Sequence, residues 1–313
     1  MERLKNFVLK YYLWGLCALI FVVMGFIKPQ FVTADNLYGL MSSMMSYGVL
    51  ALGLSVALIG GENNISIGSV LAFSGVVFAA LIGKIGLLLA FIVAAFLSTV
   101  LGVINGWLVA YKKMPAFLVA VAFMISVRGL ALAVSKSQNI IIDNELFGKI
   151  SRFQIGPVPI LFVVLIILAI IIDIVLRNTT IGRDLFAVGG NAEVADYSGI
   201  NVRLYKMLAI AFSSLMAGIG GVFLTTRLSS AIPSVGEDAI ITVLPIVVLG
   251  GTSMQGGKGS AIGTLSGLVF MYALFNLMSM FNIYVNVQSL IKGVVLLSVV
   301  VGGKYIENRN RKI

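Results

Sequence analysis

Apolar residues in this chain run in long blocks, and the polar residues that separate them come in short bursts. A helix needs roughly 20 apolar residues to cross a bilayer. The blocks at 11–27, 37–59, 85–110, 117–134, 158–176, 205–227 and 287–302 each predict such a helix, as do one ending near 83 and one ending near 281. A tenth apolar stretch, 238–249, is too short for full thickness and carries Pro245 inside it. The pattern therefore predicts an all-α polytopic membrane protein of about ten transmembrane helices, some broken or short, in a single transmembrane domain over 1–313. The block at 158–176 is the most uniformly aliphatic, which predicts a helix facing lipid. The connector 135–156 is one of the two longest polar loops.

The polar bursts are informative in their own right. GGENNISIGS at 60–69 must break a helix at its paired glycines, and GGTSMQGGKGS at 250–260 echoes it. Both continue through Gly-Ser and Ser-Gly, so they are the best candidates for broken helices lining a solute path. A true internal repeat and shared loop chemistry both account for the echo. Asn63, Asn64 and Ser66 supply neutral donors and acceptors of the kind a polyhydroxylated solute needs; helix capping competes for the same groups. The polar stretch 177–206 contains a short helix with readable ends. Asn191 is its N-cap, Glu193 puts negative charge in the first turn, and Gly199 ends it in the left-handed region. Ala192, Ala195 and Gly199 make one side smooth, beside a bulkier stripe of Val194 and Tyr197. The helix is either a plain connector or a docking element for a soluble partner.

Composition narrows the chemistry. With 59% hydrophobic and 11% charged residues, the chain is not a soluble globule. The net charge of +10 is explained by topology rather than by nucleic acid. Placing both termini in the cytoplasm gathers most of the 22 Lys and Arg on cytoplasmic segments. It also puts 177–206 where a soluble partner reaches it. The basic start MERLKNFVLK lacks a following small-x-small site, so the first block predicts an uncleaved span. One cysteine, Cys17, and no histidine exclude an internal disulfide, a His-containing metal site and a His-based triad. There is no candidate catalytic or metal-ligating residue. GGKGS at 256–260 fails as a phosphate loop, because Thr252 and Gly259 stand where Gly and Ser or Thr are required. If ATP drives this protein, another chain hydrolyses it. Asp173, near the end of its span, predicts a snorkelling carboxylate. Arg128 either lines a polar path or reaches the outer interface. Arg227 and Glu237 flank an outer turn, where they pair with each other or contact an extracytoplasmic partner, Arg227 otherwise being an interfacial anchor.

Four segments together carry a family resemblance: ISIGS at 65–69, NGWLVAYKKMPAFLVAVAFMISVRGLAL at 105–132, TTIGRDLFAVGGNAEVADYSGINV at 179–202 and VVLGGTSMQGGKGSAIGT at 247–264. The chain resembles the ribose-type permeases of bacterial ATP-binding-cassette importers over nearly its whole length. The resemblance implies a permease subunit in the bacterial cytoplasmic (inner) membrane that translocates a simple sugar. It also implies a second permease copy or paralogue, cytoplasmic ATP-binding subunits that bind the ATP and Mg, and an extracytoplasmic sugar-binding protein. The loop 177–206, with Arg183, Gly190, Asn191, Glu193, Ala195 and Gly199, becomes the ATPase-coupling loop. Importer coupling loops follow the pattern E-A-A-x-x-x-G, and Glu193, Ala195 and Gly199 fall on its first, third and last positions, with Val194 at the second. One departure is Asn64, where family members commonly carry aspartate. A nucleoside, branched-chain amino acid or autoinducer-like furanose fits the same mechanism, and an ATP-independent secondary carrier is the alternative of another class.

Overall fold

A computed structural model describes residues 2–142 and 154–310. Residues 143–153 of the predicted polar connector lie outside the described residues. The chain folds into α1 (Glu2–Ile27), a 3-10 turn (Pro29–Val32), α2 (Ala34–Ile59), α3 (Ile67–Ile85), α4 (Leu87–Ala110) and α5 (Ala116–Ser135). After these come α6 (Ile160–Asn178), α7 (Thr180–Gly190), α8 (Ala192–Tyr197), α9 (Val202–Leu228), α10 (Ala239–Leu249), α11 (Ala261–Met280) and α12 (Val285–Asn310). Strand β1 (Ile140–Ile141) pairs antiparallel with β4 (Ser230–Ala231), and β2 (Gln154–Ile155) with β3 (Val158–Pro159).

Every apolar block of the sequence is helical. Among the described residues, 7 helices are long and apolar enough to cross a membrane, and Leu13–Ile27, Ala239–Leu249 and Val285–Ser298 are shorter apolar helices. The most hydropathic, α6, buries Leu165, Ala169 and Ile172 and leaves Ile167, Ile170, Ile171 and Ile174 exposed. That outward apolar face is what a lipid-facing helix requires.

At the centre α9 packs along α2, α3 and α4. Small residues permit this. A Cβ on Gly221 would overlap the Leu71 carbonyl, and one on Gly218 would meet Ser98. The AGIGG run at 217–221 is therefore a close-approach face. Ser74 Oγ donates across it to the Gly218 carbonyl at 2.8 Å.

These contacts also fix depth. Leu71 lies against Gly221 and Gly75 against Thr225, so α3 runs parallel to α9 and starts beside its middle. The segment after α9 then folds back, because Gly236 lies against Gly68. Two helices thus begin at mid-bundle and run in opposite directions: α3 toward the end of α9 at Leu228, and α10 toward the end at Val202 that carries α8. The sequence made 238–249 short; its start at mid-depth is a finding of the structure.

Candidate functional site

Two regions matter, one at the α8 end of the bundle and one at mid-depth. At the α8 end, the short helix has the predicted caps. Asn191 Oδ1 accepts from Glu193 N at 3.0 Å and Val194 N at 3.1 Å. At the other end Ile200 N donates to Ala195 O and Gly199 N to Asp196 O, with Gly199 at φ +82°. This is the Schellman closure of a helix. The same closure ends α2 (Glu62 N to Ala57 O, Gly61 N to Leu58 O) and α10 (Thr252 N to Val247 O, Gly251 N to Val248 O). The two echoing segments thus each end a helix in the same way.

The two stripes of α8 face opposite ways. Ala195 is buried against the protein's own surface, whereas Val194 and Tyr197 are 58% and 86% exposed. Of the smooth side Ala195 is spent inward while Gly199 stays exposed, and the bulky stripe is what a partner would meet. Arg183 and Glu193 are exposed beside it.

Behind α8 three glycine-rich segments touch largely through main chain, with Ser55 and Thr252 hydroxyls 3.3 Å apart beside them. Gly257 N donates to Ile59 O at 2.9 Å. A Cβ on Gly189 would overlap that same carbonyl, and one on Gly256 would press on Gly61 and Gly189. The end of α7 is thereby wedged between the break after α2 and the loop after α10. Gly190, singled out in the sequence, tolerates a Cβ at ordinary contact distance; Gly189 is the residue that admits none. The sequence signal for it was the doubled glycine itself. Tyr205 donates to Asp184 Oδ2 at 2.6 Å and Lys206 pairs with buried Glu62 at 2.7 Å, so α9 holds both α7 and the break.

Asp173 departs from the snorkelling expectation. It is buried, accepts from Ala261 N at 3.1 Å at the start of α11, and pairs with Arg177 at 2.6 Å. A carboxylate at a helix N-terminus satisfies otherwise orphaned amides, which explains why the charge turns inward.

At mid-depth, Asn64 and Ser66 are buried and turn toward each other. Asn64 Oδ1 accepts from Ser66 N at 3.2 Å and Ser66 Oγ at 2.7 Å, while its amide donates to Ser214 Oγ at 3.1 Å. That donation needs an amide, which is what asparagine offers and an ionised aspartate does not. These groups are spent on one another and on Ser214, and neither makes a side-chain cap on α3. Asn63 Oδ1 is buried without a partner among the described residues. Arg128, by contrast, donates to the carbonyls of Pro233 and Val235, both at 2.7 Å, and so pins the fold-back segment. It lines a cavity of about 480 Å³ with Ser69 and Glu237. Arg227 donates to Ser43 Oγ at 2.9 Å, and no ion pair joins it to Glu237 among the described residues.

This architecture defines a membrane-embedded helical protein with breaks at depth and one capped helix presented at an end. The chain belongs to the family described as the permease component of the branched-chain amino acid transport system, whose model matches residues 36–300. It is 30% identical to the ribose import permease of Haemophilus influenzae over 293 residues, 92% of this chain and 91% of that protein. It is also 30% identical to the Bacillus subtilis ribose import permease, covering 95% of this chain and 91% of that one. The L-arabinose transporter permease of Azospirillum brasilense is 32% identical, covering 93% of this chain and 86% of that one. No solved structure matches this chain.

Proposed function

We propose that this chain is the permease subunit of an ATP-binding-cassette importer that moves a simple sugar delivered by an extracytoplasmic binding protein. The relatives at about 30% identity, named as ribose and arabinose permeases, support the sugar. The observation that carries the coupling is α8, a doubly capped helix with Val194 and Tyr197 standing free. On this reading α8 seats in a groove of a cytoplasmic ATP-binding subunit. Both termini and α8 lie in the cytoplasm, ten helices enter the bilayer, and a second permease copy or paralogue completes the path.

Mechanism follows from the attachments of α8. The partner subunits bind the ATP and Mg and close on each other, carrying α8 with them. The motion reaches Gly189, which is wedged against Ile59 and Gly257. Displacing it parts the break after α2 from the loop after α10, opening the bundle toward the cytoplasm.

The test is reconstitution in liposomes, with and without the ATP-binding subunits and the binding protein. Tyr197→Asp or Val194→Asp is expected to abolish the ATPase stimulation caused by loaded binding protein while the chain still inserts. Sugar uptake by this chain alone, without ATP, would overturn the assignment in favour of a secondary carrier.

A further inference from the structure

The mid-depth cavity has an inventory that the coupling mechanism does not use. Ser69, in the first turn of α3, is 1% exposed, and its hydroxyl has no partner among the described residues. Ser98 and Thr226 return their hydroxyls to the carbonyls of Ala94 and Val222, each at 2.8 Å, whereas the helix serines Ser46 and Ser213 are unpartnered among the described residues like Ser69 but do not line the cavity. Ser69 instead sits on the wall of the cavity, beside Arg128 and Glu237. The helices that open there, α3 and α10, have no side-chain cap at their N-termini. Their amide ends therefore add positive potential to that of the guanidinium.

We propose that this cavity is the permease's own subsite for a neutral, hydroxyl-rich solute, with Ser69 as the group that reads one of its hydroxyls. The proposal rests on the importer reading and adds that the membrane subunit itself discriminates among solutes. The polar groups select the class. A hydroxyl both donates and accepts, so a polyol satisfies Ser69, the donors of Arg128 and the helix ends, and the acceptor Glu237 together. An anion is opposed by Glu237, a cation by Arg128, and an apolar solute leaves Ser69 unpaired. Ile65, Met124 and Ile240 complete the wall with an apolar surface suited to the C–H face of a sugar ring. Intramembrane charge such as that of Arg128 is retained where it faces protein or a watery path.

Two measurements test this in the complete transporter. In the first, proteoliposomes holding saturated binding protein and ATP-binding subunits take up ribose, arabinose and their deoxy analogues. Ser69→Ala and Ser69→Val are expected to lower uptake roughly five- to tenfold for sugars that use the lost hydrogen bond. The ranking among sugars should change, while ATPase stimulation by loaded binding protein persists. Wild-type rates and ranking in both variants would overturn the subsite. A wild-type transporter that takes up none of these sugars refutes the sugar reading itself, and the subsite with it. In the second, Cys17, the one cysteine in the chain, is replaced by serine, and Ser69→Cys or Ile240→Cys is introduced. A charged methanethiosulfonate should label both positions, more slowly when sugar is saturating. Failure to label either would show that the cavity is closed to water and overturn the proposal.

Discussion

At the residue scale, two glycines ten positions apart in the sequence do different work. Gly199 is required for its conformation: it sits at φ +82°, and an added Cβ meets open space. Gly189 is required for its absence of a side chain, since a Cβ would overlap Ile59 O and crowd Gly257 N. Gly199→Ala should therefore cost about 1–2 kcal/mol of local strain and keep partial ATPase coupling, with Gly199→Asn milder still. Gly189→Ala should uncouple the ATPase outright while the protein remains in the membrane. ATPase stimulation by loaded binding protein, measured on both variants, checks the contrast; equal effects would contradict it. The Glu62–Lys206 pair is a second residue-scale device. Breaking it from one side strands a carboxylate that is 5% exposed, costing about 3 kcal/mol. Thermal unfolding in detergent should show Lys206→Met less stable than Glu62→Gln/Lys206→Met.

At the element scale, helix ends were legible and helix depth was not. Paired glycines at 60–61 and 250–251 announce an ending because only glycine readily takes the left-handed turn that a Schellman closure needs. Asn191, Glu193 and Gly199 announced α8 for the same local reasons. Nothing local says that α10 begins beside Gly68, since a polar turn reads alike at the surface and folded back. Asp173 was misread for a related reason: its amide partner at Ala261 is 88 positions away. Its role predicts that Asp173→Ala destabilises the start of α11 by about 1–2 kcal/mol, and that Asp173→Asn, which keeps an acceptor, costs less. Hydrogen exchange at the first turn of α11 measures it. Arg128 was legible as a candidate because a charge inside an apolar block stands out; Ser69 was not, because a single hydroxyl in ISIGS gives no sign of what it faces.

At the scale of the whole molecule, α8, the glycine contact and the buried Glu62–Lys206 pair gather at one end, and the β1–β4 pair at the other. The distribution of Lys and Arg predicts that the α8 end is the cytoplasmic one. The expected outcome is that a fluorescent protein fused at the C-terminus lights up in cells, and that alkaline phosphatase fused after Asn282 is active outside. The reverse pattern would invert the molecule and detach α8 from any cytoplasmic motor.

The contact among Gly61, Gly189 and Gly257 has one more consequence. A door made largely of main chain carries little by which to know its visitor. Amides, carbonyls and α-carbons dominate the contact, with the side chains of Ile59, Leu185 and Thr252 at its edge, so admission is settled upstream. A door forced ajar would then leak without preference. Propping it with Gly256→Ala should let erythritol through liposomes as readily as a pentose, with ATP absent, a leak that solute-swelling measurements detect.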